Sequence, residues 1–122
     1  MDVINLNDKL SKFSDQWSPR IIAELNGQQV KLAKIEGEFV FHHHEHEDEL
    51  FLVLRGAMRM EYKDRPYVEV REGEIVVVPK GVEHRPVTIG GECAVMLFEP
   101  ASTLHTGNRA DDPRTKTHLE RI

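Results

Sequence analysis

From about residue 19 to residue 99 the apolar positions come in short runs, each cut off by a turn signal. Valine, isoleucine, leucine and aromatic residues dominate these runs, and none sustains the i, i+3, i+4 spacing of a helix, so the pattern predicts strands. Ile21–Leu25 and Gln28–Ala33 flank Asn26-Gly27, a pair suited to the two-residue turn of a β-hairpin. Further strands are predicted over 38–44, 50–55, 57–63, 67–71, 74–78, 84–89 and 93–99. The breaks fall at Gly56, Asp64-Arg65-Pro66, Glu72-Gly73, Pro79-Lys80-Gly81 and Gly90-Gly91. Short strands at this spacing make a sandwich or a barrel.

Two of the strands are apolar on both parities, Leu50-Phe51-Leu52-Val53-Leu54 and Ile75-Val76-Val77-Val78. A sheet with one wet face alternates, so both faces here must be covered, by a second sheet or by another subunit. Met58-Arg59-Met60-Glu61-Tyr62-Lys63 does alternate, with Met58, Met60 and Tyr62 inward. Ahead of the strands, residues 6–13 predict a short helix with Asn7 as its cap and Leu10 and Phe13 on one side. Behind them, residues 100–122 are polar and turn-rich, a segment expected to drape over the surface. One domain over 1–122, with its barrel core at about 19–99, accommodates all of this.

Composition narrows the partners. The 122 residues carry a net charge of −5 and no Lys/Arg cluster, which argues against nucleic-acid binding. No apolar run approaches transmembrane length, and Met1-Asp2-Val3-Ile4-Asn5-Leu6 lacks a basic region followed by an apolar stretch, so no membrane association is expected. Cys93 is the single cysteine, which leaves no intramolecular disulfide, and its apolar neighbours give it a buried packing role. A reducing cytoplasm is the expected compartment.

The candidate chemistry lies in Phe41-His42-His43-His44-Glu45-His46-Glu47-Asp48-Glu49, with His84 behind the turn Pro79-Lys80-Gly81. In an extended strand His42 and His44 share a face, about 7 Å apart along the backbone, and can converge on one ion. A mixed set of imidazole and carboxylate donors suits Zn, Fe, Mn, Ni or Cu better than Ca or Mg. His43 points the opposite way. His46, in the acidic turn Glu45–Asp48, and His105, in the tail, are expected at the surface.

The spacing of these residues continues in two blocks. Gly37 precedes His42-x-His44, four residues, Glu49, six residues, Gly56; sixteen residues later come Gly73, five residues, Pro79-x-Gly81, two residues, His84. The arrangement resembles the two signature blocks of the cupin superfamily, across residues 37–88. It departs at Thr88, where the family often has Asn, and at Gly37, which sits one residue closer to the first histidine. The resemblance implies an all-β double-stranded β-helix, or jelly-roll barrel, to which the pattern at 6–13 adds a short N-terminal helix. It also implies His42, His44, Glu49 and His84 as ligands of one divalent transition metal per subunit, Fe, Mn, Ni or Zn. A six-coordinate ion so held keeps two positions for water or substrate.

Met58, Met60, Tyr62, Met96 and Phe98 are expected to line the barrel around the metal, and the doubly apolar strands lead to the expectation of a homodimer. Two functions remain open. One is metal-dependent chemistry on a small organic molecule, of dioxygenase, isomerase, lyase or cyclase type. The other is a non-catalytic module that binds or senses a small molecule around a structural metal. No Ser-His-Asp or Cys-His pattern names a general base.

Overall fold

The computed structural model describes residues 1–122. One helix, α1 (Leu6–Leu10), precedes eight strands: β1 (Arg20–Leu25), β2 (Gln28–Ile35), β3 (Glu49–Arg55), β4 (Ala57–Tyr62), β5 (Val68–Arg71), β6 (Ile75–Val78), β7 (His84–Thr88) and β8 (Cys93–Pro100). Two antiparallel sheets face each other, one in the order β1-β2-β8-β3-β6 and the other β5-β4-β7. This is the jelly-roll barrel. No helix is long and apolar enough to cross a membrane.

The hairpin β1–β2 turns on Asn26 and Gly27 with φ of 51° and 77°, which gives the chain the twist a two-residue connection needs. At Gly56, between β3 and β4, φ is 80° and a Cβ would stand 2.8 Å from the carbonyl oxygen of Glu92. Only glycine fits there, and the corner it makes carries the chain from one sheet to the other.

Two elements differ from the sequence pattern. The strand expected over 38–44 is reduced to isolated bridges, Glu38 to Val87 and His42 to His84. Its backbone groups go to three different places: His42 pairs with His84, His44 O accepts from Gly81 N, and His43 O accepts from Asn108 N. The helix is shorter than 6–13 and is capped by Asn5, whose side chain accepts from Asp8 N at 3.0 Å. Asn7 instead accepts from the Arg55 guanidinium at 2.8 Å.

Between the sheets lies the main core, where Phe51, Val53, Met58, Met60, Val78, Val95 and Leu97 meet. Cys93 is buried among them, and burial pushes its thiol up to about 11, so it is an inert packing group. The outer face of the larger sheet is covered in part. Leu10 and Phe13 pack on Leu32 and Ala94, with Leu54 and Met96 beside them. Beyond that cover, Val30, Phe98, Leu50 and Val77 align as cross-strand neighbours over four strands. Leu52 pairs with Ile75 in the next row, and Ile75 and Val77 are 58% and 50% exposed.

Candidate metal centre

Four side chains meet at one end of the barrel. His42 and His44 come from the segment between β2 and β3, Glu49 opens β3 and His84 opens β7. Their ligand atoms all lie within 4.8 Å of one another, and all four residues are buried. Although residues 38–44 form no continuous strand, the extended alternation persists locally, with His42 and His44 inward and His43 turned away. His43 Nδ1 lies 2.9 Å from Glu83 Oε1 instead.

Two imidazoles are oriented from behind. Nδ1 of His42 donates to Val40 O at 2.9 Å, and Nδ1 of His84 donates to Val82 O at 2.8 Å. A carbonyl only accepts, so the ring protons sit on Nδ1 and each Nε2 is left as a bare donor to a metal. Nε2 of His44 and His84 lie 3.2 and 3.4 Å from Glu49 Oε1. All three atoms are buried and have no hydrogen-bond partner. Polar atoms of three buried groups that converge on one spot without partners are costly unless a cation lies among them. The residues present therefore fit a divalent ion, which this set can hold with low net charge.

Electrostatics keep the donors in their binding forms. Burial, aided by the neighbouring His84, pushes His42 down to about 3, so its ring is neutral near pH 7. Burial works to raise the Glu49 carboxyl, but contacts with Glu99, His44 and His84 outweigh it and hold Glu49 well below the usual carboxylate range. Glu99 goes the other way, raised by burial and by the Glu49 charge against the opposing pull of Lys31. Lys31 and Glu99 are each 1% exposed and form a 2.7 Å ion pair. Glu99 thus stands between this ammonium and the Glu49 carboxylate.

Beside the cluster is a cavity of about 40 Å³, reached by His42 and Glu49 and walled by Trp17, Phe39, Phe51 and Leu97 among others. Trp17 and Phe39 stack at 4.7 Å between centroids, and the Arg114 guanidinium caps Phe39 at 4.3 Å. None of Met58, Met60, Tyr62, Met96 and Phe98 borders this cavity. Met58 and Met60 are inward but deeper in the core, and Tyr62 packs against that core. Met96 and Phe98 sit on the outer face, because Val95, Leu97 and Glu99 take the inner parity of β8.

His105 is not at the surface. It is 8% exposed, forms part of the cavity wall and donates from Nε2 to Arg114 O at 2.8 Å. The tail that carries it is pressed onto the ligands: a Cβ on Gly107 would meet His43 O and come within 2.9 Å of the His42 ring. In the acidic turn Glu47 accepts from Ser102, Asp48 accepts from Lys80 N at 2.9 Å, and the His46 side chain is 86% exposed, so none of them joins the cluster. The buried roles of Lys31, Glu99 and His105 had a partial signal only in the first two, which share strand parity with Ala33, Ile35, Val95 and Leu97.

Known proteins share this framework. The cupin domain model matches residues 28–106. A cupin-2 domain protein from Shewanella frigidimarina is 49% identical, with a TM-score of 0.77 over 80% of this chain and 94% of that one. A Neisseria meningitidis protein is 34% identical, with a TM-score of 0.74 over 82% of this chain and all of that one. The uncharacterised protein YdbB of Bacillus subtilis is 39% identical over 64 residues, 52% of this chain and 57% of that protein, so the match takes in little more than half of the relative. With the barrel, the clustered histidines and glutamate and these matches in agreement, the chain belongs to the cupin family.

Proposed function

We propose that the protein holds one divalent transition metal per chain through His42, His44, Glu49 and His84 and acts there on a small organic molecule, in chemistry of dioxygenase, isomerase, lyase or cyclase type. The observation that supports this most directly is the set of three buried, unpartnered donor atoms beside a cavity. Fe, Mn, Ni or Zn in that place would supply a Lewis-acid or redox centre. The chain's own contribution is positional. Val40 O and Val82 O fix two rings, and the stacked Trp17 and Phe39 give the cavity an apolar wall.

The cavity's size favours a second reading. Ligand pockets run to roughly 300–1,000 Å³, whereas about 40 Å³ has room for only a few waters. A module with a structural metal and a very small ligand fits that space without any movement of the tail. Loading metal-free protein with Mn²⁺ and measuring water-proton relaxation separates the two. The catalytic reading expects about one ion per chain, counted from the four-residue cluster, and a rapidly exchanging water on it. A tightly held ion with no exchangeable water supports the structural role, and no uptake above background rejects both.

We also propose that two copies pair through the outer face of the larger sheet, where the apolar rows around Leu50, Leu52 and Phe98 continue past the cover of α1. A twofold pairing of this face would bury the exposed Ile75 and Val77. Light scattering should then give twice 14.0 kDa at micromolar concentration. Leu52→Glu buries an unpaired charge and should weaken pairing roughly a hundredfold or more. A wild-type mass of one chain, or a Leu52→Glu protein that pairs equally well, would place the contact elsewhere or remove it.

A further inference from the structure

We propose that a second cavity, on the tail side of the larger sheet, is a binding site for a small oxyanion, a phosphate or a carboxylate. The cavity measures about 280 Å³ and is bordered by Lys31 of β2 and by Thr103, Lys116, His118 and Arg121 of the tail. No acidic residue borders it.

Two of these polar groups are more than nine-tenths buried and have hydrogen-bonding capacity to spare. Thr103 is 7% exposed and its hydroxyl has no partner. Lys31 is 1% exposed, and its ammonium, with three N–H groups, makes one hydrogen bond, to Glu99 at 2.7 Å. The spare Lys31 N–H groups can only donate and the Thr103 hydroxyl can donate as well, so one acceptor in the cavity would satisfy both. The surrounding charge gives that acceptor its sign. Arg121 is paired with Glu24, but Lys116 donates to the Ser18 hydroxyl, at 2.6 Å, and so brings a positive charge that no carboxylate meets in a direct ion pair. A compact oxyanion offers several acceptor atoms at once and suits a cavity lined by hydroxyl and ammonium donors.

The site is separate from the metal centre, because Glu99 stands between Lys31 and Glu49. Its ligand is therefore held by the tail and β2 whether or not the four-residue cluster is loaded.

Calorimetric titration of the metal-loaded protein with inorganic phosphate, and separately with acetate, tests the proposal. The expected result is saturable uptake of at least one of them, one per chain. Uptake should weaken roughly tenfold or more in Thr103→Val and in Lys116→Met, and Thr103→Ser should restore it. Saturation by phosphate alone or by acetate alone identifies which oxyanion class the site takes. Lys116 is exposed, so Lys116→Met remains informative if the buried change at Thr103 prevents folding. In His84→Ala, which lacks a metal-ligating side chain, anion uptake should persist. The proposal is overturned if neither anion saturates below roughly 10 mM, if Lys116→Met binds as the wild type does, or if uptake disappears in His84→Ala, which would put the anion on the metal.

Discussion

Replacing His84 with Ala should lower metal affinity by more than a hundredfold, and the same change at His43 should leave it nearly untouched. Loss of an outer-shell partner of a metal ligand already costs 10–100-fold, and His84 is closer to the ion's place than any such partner. Its Nε2 is 3.4 Å from Glu49 Oε1, fully buried, and bonded to nothing else. His43, one residue along the same segment as two ligands, is half-buried against Glu83 and contributes no atom to the cluster. Elemental analysis of untagged protein after dialysis against a weak chelator reads the difference. Equal retention in both variants, or equal loss, would overturn the ligand assignment.

The metal-free protein should lose stability steeply in acid, and His42 should account for much of the loss. Its folded-state value of about 3 lies below the ordinary 6.5, so between those limits the unfolded chain binds a proton that the native state refuses. Stability from this group is complete above pH 6.5 and declines as pH falls toward 3, by at most roughly 4–5 kcal/mol. Glu49, held low, acts with the same sign at lower pH: its contribution is present above the ordinary carboxylate value of 4.5 and fades in acid. Glu99, held high, acts oppositely, contributing below 4.5 and less as pH rises. The bare pH profile mixes the three, so the measurement is a comparison. Urea unfolding of wild type and His42→Gln with chelator present, from about pH 7 to about pH 4, should show the gap between them shrinking or reversing as acid is added. A constant gap would mean that the His42 ring takes up its proton over the same pH range folded as unfolded. Metal loading adds to the same trend, because the ion competes with protons for the imidazoles. Occupancy that holds unchanged to about pH 4.5, some two units below a free imidazole, would speak against a three-histidine site.

What could be read from the sequence was local. The hairpin at Asn26-Gly27 follows from the φ > 0 that those two residues tolerate, and the edges of β3, β4, β5, β6, β7 and β8 lie within a residue of the ranges the pattern predicts. The four clustered residues were legible because their spacing needs only an extended backbone and a Pro-x-Gly turn, both encoded nearby. Facing was harder. Cys93-Ala94-Val95-Met96-Leu97-Phe98 is apolar on both parities, so nothing in it distinguishes the cavity side from the side that meets α1 and the open face. Met96 and Phe98 turned out on the latter. Residues 38–44 have strand-forming composition, yet a ladder needs a neighbour over its whole length, and this segment's partners are divided among β7, a turn and the tail. His105 depends on contacts with Phe39 and with Arg114, whose positions are set by the path of a turn-rich tail. Lys31 and Glu99 share the inner parity of their strands, but charged strand residues usually face solvent, and their mutual pairing is what permits burial.

The two-way backbone pairing of His42 and His84, N to O at 3.0 Å and back at 2.9 Å, has a consequence in polymer terms. These residues are 84 − 42 = 42 positions apart, so closing the chain between them carries a loop entropy of about 4 kcal/mol, by the scale used for a covalent cross-link of that length. An ion shared by their two rings would act as that cross-link. His44 and Glu49 add short loops with little further entropy to remove. The metal centre is then also a staple that ties the first half of the barrel to the second. Taking the ion away should relax the segment before β3 and the start of β7 as one unit, while the hairpin β1–β2, which is built from neighbours in sequence, stays closed.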